Sequence, residues 1–300
     1  SRKMAIRVQA IRGDRAAIEF RGFPPKQRDD LVAALGKDIT VQESDWNCVL
    51  LYTPNHGRPV MQDPRVRQAL TLAVDRWGGS QHLSRIAIVK TVGGVGFPGH
   101  PLSATKAELV PLKGYGTDLK AARAEAKKLL AEAGKSDLKF ELMNRGTDQP
   151  YKIVGTWLIG QWRQIGLEVT QRVEPTKTFY NELRNTKNFD VSLDFNCQSV
   201  VNPLVDVSKF IGSAGNNYAN FKGQDQQLEE IYEQMLQAPE EAKQRELMRV
   251  MEKRALSDQA HMGVTLWWYK INPHRSYVKG WKIAPSHYLN QSLDQVWLDK

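Results

Sequence analysis

Only two cysteines, Cys48 and Cys197, occur in the 300 residues, and they do not form a C-x-x-C pair. That excludes a disulfide framework, while one bond between the two stays open in an oxidising compartment. No apolar run approaches the ~20 residues that a helix needs to cross a bilayer, so no transmembrane segment is expected. The chain starts Ser1-Arg2-Lys3-Met4, without the tripartite pattern of a signal peptide. G-x-S-x-G, H-E-x-x-H and P-loop patterns are missing. The six histidines (His56, His82, His100, His261, His274, His287) show no metal-ligand spacing. No catalytic residue, metal site or cofactor is therefore expected. Gly94-Val95-Gly96-Phe97-Pro98-Gly99 spells G-x-G-x-x-G, but Pro98 and Pro101 block the helix that a dinucleotide fingerprint opens at its third glycine.

Hydrophobic content is 41% and charged content 25%, ordinary for a globular chain. Lysine and arginine outnumber aspartate and glutamate by 42 to 33, a formal charge of +9. Such a balance raises nucleic acid or an anionic membrane as partners. Here the cations are dispersed and interleaved with acids over 120–135 and 240–253, as on solvated helix faces, so no nucleic-acid partner is expected.

Periodicity predicts strands over 4–10, 39–42, 46–52, 138–143, 167–173, 191–195 and 263–269, and short strands or turns over 276–283 and 295–298. It predicts helices over 14–20, 24–35, 80–88, 118–133, 150–165, 176–185, 204–210, 225–236 and 239–256. Over 63–76, Asp63 can cap a helix, Pro64 suits its first position, and Val66, Ala69, Leu70 and Ala73 share one face. Gly134 and Gly166 stand where left-handed residues close helices. Segment 53–59, dense in proline and glycine, is placed as a domain crossing, and 92–117 as a long loop. From 138 to 195 strands and helices alternate, which predicts a βαβ arrangement and a mostly parallel sheet. Ligands of such sheets bind outside the carboxyl ends of strands. Two such ends are polar: Arg145 follows one strand, and Asn196, Cys197, Gln198 and Ser199 follow another. Asp190 and Asp194 share a strand face at opposite ends, a start and an exit rather than a catalytic pair.

Several segments fall in a shared order. Asp63-Pro64-Arg65-Val66-Arg67-Gln68-Ala69-Leu70 is followed by Ala73-Val74-Asp75-Arg76. Then come Asp118 with Ala122, Lys128-Leu129-Leu130-Ala131-Glu132-Ala133-Gly134, and Met143-Asn144-Arg145 with Tyr151. Gln161-Trp162-Arg163-Gln164-Ile165-Gly166-Leu167-Glu168-Val169, Asn188-Phe189-Asp190-Val191, Asn217-Tyr218-Ala219-Asn220-Phe221 and Tyr277-Val278-Lys279-Gly280 complete the series. The order resembles that of the bacterial extracellular solute-binding proteins of family 5, the dipeptide, oligopeptide, nickel and opine class.

The resemblance implies an α/β periplasmic binding-protein-like fold (type II, cluster C), its sheet flanked by helices. It implies a C-terminal portion: 1–53 and 270–300 as a remnant of lobe one, and 54–269 as lobe two. It implies a periplasmic protein whose signal peptide left with the missing front part. The function it implies is non-enzymatic, capture of a peptide-like or opine-like solute for ABC permease subunits, with binding impaired in the short chain. In that family a basic residue near Arg145 can meet an anionic group of the solute. The loop Asn196–Asn202 matches the place of an aspartate that holds a peptide's α-amino group, and here Ser199 and Asn202 stand instead. A free ammonium would be poorly compensated there, so a neutral or anionic solute is expected. Arg145, Asn196, Gln198, Ser199, Asn202, Asn216, Tyr218 and Trp268 are the candidate binding residues. Alternation puts Trp267 and Trp268 on opposite faces, so at most one of them meets solute. The alternatives are a basic nucleic-acid-binding protein and a hydrolase on an α/β scaffold, the latter without an evident nucleophile.

Overall fold

The computed structural model describes residues 2–286 and 292–300. His287 lies outside the described residues, as do Asn290 and Gln291 of Asn290-Gln291-Ser292, which matches a glycosylation acceptor by spelling only. In chain order the elements are α1 (Arg2–Arg12), α2 (Pro25–Leu35), β1 (Ile39–Pro54), α3 (Pro59–Gln62), α4 (Pro64–Leu72), α5 (Arg76–Leu83) and β2 (Val89–Thr91). They continue as α6 (Lys106–Leu109), α7 (Leu119–Glu132), β3 (Lys139–Arg145), α8 (Ile153–Arg163), β4 (Glu168–Glu174), α9 (Thr176–Asn181) and β5 (Val191–Cys197). The rest are α10 (Pro203–Val207), α11 (Gln226–Gln237), α12 (Glu241–Lys253), β6 (Gly263–Arg275), β7 (Val278–Lys279) and β8 (Trp297–Leu298). No helix among the described residues is long and apolar enough to cross a membrane.

Six strands form one sheet in the order β2-β6-β1-β5-β3-β4. It is mixed, with helices on both faces. β3 runs parallel to β4 and β5, as the alternation over 138–195 predicts. The β1–β5, β1–β6 and β2–β6 pairs are antiparallel, so the parallel share is smaller than expected. On one face, Leu50, Tyr52, Leu142 and Leu266 meet Leu70 of α4, Leu130 of α7 and Trp162 of α8. On the other, Val49, Leu51, Val264 and Trp267 meet the 92–117 segment, α11 and α12. Trp268 belongs to the first core and Trp267 to the second, as alternation requires. Two smaller cores stand apart: Ile11, Phe23, Leu31 and Ile39 near the N-terminus, and Met143, Phe179, Leu183 and Phe189 beside β3.

Several local expectations change. Residues 4–10 are helical, within α1, and 14–20 form no helix. The strands expected at 39–42 and 46–52 are one strand, β1, because β6 pairs with it through Asp45. β6 runs on to Arg275 for the same reason. The helix expected at 80–88 starts earlier, where Asp75 accepts from Gly78 N and caps α5. The long loop carries α6, opened by a capping box between Thr105 and Glu108. The 150–165 helix begins with a wide turn over Asp148–Lys152 before α8. Gly134 and Gly166 do take left-handed backbone, with φ of 65° and 94°. At Gly94–Gly96 the Val95 amide donates to the buried Glu252 carboxylate at 2.8 Å, so an internal acid holds that loop.

Cys48 and Cys197 oppose each other across β1 and β5 and form a disulfide, with Cα atoms 4.1 Å apart. Asp190 and Asp194 do not pair. Asp190 bonds Arg58 and accepts from Glu141 N, at 3.2 and 3.1 Å.

Candidate functional site

β3 ends at Arg145, where the chain turns through Asp148–Lys152 into α8. Gln149 pins that turn: its Nε2 donates to Ile86 O at 2.9 Å and its Oε1 accepts from Ile88 N at 3.2 Å. Tyr151 is thereby set behind Arg145. The Arg145 guanidinium lies 4.3 Å from the ring centre of Tyr151, 5.4 Å from Phe195 and 5.5 Å from Tyr180. Its Nη1 donates to Tyr180 Oη at 3.1 Å. Trp268 of β6 meets Tyr151 edge-on at 6.0 Å and Trp46 of β1 edge-on at 5.4 Å. An arginine faced by three rings is both oriented and partly desolvated, which strengthens its hold on an anion.

These groups border a cavity of about 670 Å³, the size of a small-solute pocket. One wall is Trp46, Arg145, Tyr151 and Trp268. The facing wall comes from α1, the segment before α2 and the first turn of α2, including Met4, Arg7, Arg21 and Gln27. Among the described residues, three polar atoms on the first wall find no hydrogen-bond partner: Arg145 Nε, Tyr151 Oη and Trp268 Nε1. Burial pushes the Tyr151 phenol well above its ordinary pKa, so it stays a neutral donor. Buried donors without partners are destabilising unless something accepts from them. Three arginines and one acid, Asp148, border this space, which favours an anionic or hydroxyl-rich occupant.

A second cavity, about 630 Å³, opens beyond Tyr180. Arg184, Lys187, Asn216, Tyr218 and Lys222 line it. Arg184 lies 4.5 Å over Tyr180 and 5.7 Å from Tyr218, so cations and rings alternate from the first cavity to the second. The last step is Lys209, whose Nζ sits 4.0 Å over Tyr218 and bonds Asp194 of β5 at 2.5 Å. Burial pulls the Lys209 pKa down, and the Asp194 charge opposes that.

Arg145 and Trp268 thus come together at the first cavity, and Asn216 and Tyr218 at the second. The 196–202 loop borders neither. Asn196 is buried, and its Oδ1 accepts from Gln198 Nε2 at 3.2 Å. Gln198 N donates to Asn47 O at 3.1 Å, and Ser199 O accepts from Ser286 Oγ at 2.6 Å. Asn202 caps α10 by accepting from Leu204 N at 3.0 Å, a local structural role. Tyr180, Arg184 and Lys209 escaped the sequence argument. Tyr180 and Arg184 follow one another at i and i+4, a spacing that marks a shared face, but nothing in the sequence shows which face.

The family model for "Bacterial extracellular solute-binding proteins, family 5 Middle" matches residues 8–218. The periplasmic oligopeptide-binding protein OppA of Salmonella typhimurium (strain LT2) is 26% identical over 261 residues, 84% of this chain and 45% of that protein. OppA of Escherichia coli (strain K12) is 27% identical over 257 residues, with the same coverage of 84% and 45%. The chain thus spans about half the length of the relatives it matches. The crystal structure of Haemophilus influenzae OppA in complex with RPPGFSPFR superposes with a TM-score of 0.78 at 19% identity, covering 99% of this chain and 56% of that one, a likeness of fold. With two thirds of its length matched, this chain belongs to the family 5 bacterial extracellular solute-binding proteins.

Proposed function

We propose that this chain is the solute-holding portion of the binding component of an ABC import system, with no chemistry of its own. The observation that carries the reading is the Arg145 cavity. A ring-flanked guanidinium there stands beside unpaired donors on Tyr151 and Trp268. The solute is peptide-like or opine-like and presents a carboxylate to Arg145. Residues 54–269 act as lobe two, and 1–53 with 270–300 act as part of lobe one, so the cavity lies between them. The Cys48–Cys197 disulfide supports a periplasmic location, since such bonds persist in oxidising compartments. Permease subunits are the partners that would receive the solute.

Isothermal titration of the 300-residue chain with N-acetylated and free-amine dipeptides tests this. Weak heat from the N-acetylated, carboxylate-bearing set is expected, because the relatives' remaining length is absent from the cavity walls. Arg145→Gln should weaken that binding about tenfold or more, the worth of one charge-assisted hydrogen bond. Nanomolar binding would overturn the account of a partial cleft. No binding at all, together with steeply salt-dependent retention on heparin, would point to nucleic acid instead.

A further inference from the structure

The second cavity has an uneven charge. Arg184, Lys187 and Lys222 border it, and none of the three has a carboxylate partner among the described residues. No aspartate or glutamate is among its lining residues. Glu229 and Asp194 bond to groups beside the cavity, and both are engaged. Glu229 accepts from Ser213 N and Oγ at 2.9 and 2.6 Å. Asp194 is fully buried on β5 and is met by Lys209 Nζ at 2.5 Å. The same ammonium donates to Asn216 O at 2.7 Å and lies over the Tyr218 ring. Lys209 therefore already occupies the surroundings that a solute's ammonium would need: a carboxylate, a carbonyl and an aromatic face.

We propose that Lys209 sets the charge class of the solute: it is a resident ammonium on Asp194, and the solute end seated against Tyr218 is a carboxylate held by Arg184, Lys187 and Lys222. The proposal rests on the reading of the chain as a solute binder, but it concerns the second cavity alone. Three like charges around one space repel one another, and an anion relieves that repulsion. With Lys209 in place, Asp194 contributes no net negative charge to oppose it. A solute bearing an ammonium at this end would meet three cations and no free acid.

Thermal unfolding of the 300-residue chain at constant ionic strength, with glutarate or with pentylammonium as probe, tests this. Glutarate should raise the midpoint by roughly 2–4 °C once well above its dissociation constant, and pentylammonium should not. Arg184→Gln should remove most of the glutarate response while leaving the response of the Arg145 cavity to N-acetylated dipeptides intact. The two members of the ion pair should act differently. Asp194→Asn removes both the acid and the charge that keeps the buried Lys209 protonated, so it should leave the preference for glutarate unchanged. Lys209→Met bares the carboxylate, so it should weaken glutarate and bring a response to pentylammonium. A purely structural ion pair would change stability in both variants without reversing this preference. If Lys209→Met does not fold, Lys209→Gln, which also removes the ammonium and leaves Asp194 in place, decides. Equal responses of the unmodified chain to both probes, no response to glutarate, or an unchanged preference in the Lys209 variant would overturn the proposal.

Discussion

Asp206, on the short helix α10, has no exposed surface, and neither carboxylate oxygen has a hydrogen bond of good geometry among the described residues. Burial pushes its pKa up to about 8, against an opposing pull from the Phe97 backbone amide. The unfolded chain, with an ordinary carboxyl, loses this proton near pH 4. Between pH 4 and 8 the folded state therefore holds more protons than the unfolded state, and stability falls as pH rises through that window. Asp206→Asn should flatten this slope. Urea unfolding at pH 5 and pH 8 should show the unmodified chain losing an additional ~2–4 kcal/mol that the variant does not lose. None of this was legible in the sequence, where residues 204–210 read as an ordinary short helix with one acid. Arg145 was legible, because a basic residue after a strand falls where α/β sheets bind ligands. Its aromatic surround was not. Tyr151, Tyr180 and Phe195 come from three separate elements, and only the pairing of β3 with β5 and the α9 packing bring them to it.

At the scale of elements, the 63–76 stretch shows what local pattern reaches and where it stops. Asp63 caps α4 through Arg65 N at 2.9 Å, Pro64 takes the first helical position, and Val66, Ala69, Leu70 and Ala73 are all buried. All of that follows from capping and period. The arginines behave otherwise. Arg67 is buried and donates to Met61 O, Gln62 O and Gln259 O. Arg76 is buried and donates to Val264 O at 2.8 Å, Gly114 O at 2.7 Å and both Thr71 oxygens, over the Tyr115 ring. It thus joins α4, the long loop and β6. Arginine is usually a surface residue, so composition places it outside. Arg76→Met should cost about 3–5 kcal/mol in chemical unfolding, since several buried carbonyls lose their donor at once. The expected strand at 4–10 failed for a different reason. Met4, Val8 and Ile11 stand at i, i+4 and i+7, and that helical face packs on Phe23 and Leu31, while the same residues also alternate over a short window.

Across the whole molecule, the ordered series of segments was enough for the family and for a helix-flanked mixed sheet. It was not enough for the sheet order, because the antiparallel pairing of β1 with β5 and β6 depends on contacts far apart in sequence. The disulfide belongs to this scale, since it closes a separation of 149 residues. Constraining so long a loop in the unfolded chain gives an expected loss of about 2–5 kcal/mol on reduction, measurable by comparing denaturant midpoints with and without reductant. Because the β1–β5 ladder runs on from the bond, from Val49–Asn196 to Pro54–Val191, the reduced protein should keep its sheet signature in far-ultraviolet dichroism. Trp46 and Trp268, edge to face at 5.4 Å, stand in the wall of the Arg145 cavity. Two indoles so near one another couple electronically, and their excited state is quenched or shifted by whatever charge comes beside them. The protein therefore carries an intrinsic optical probe of occupancy at that wall, one that needs no label and leaves the Tyr218 end dark.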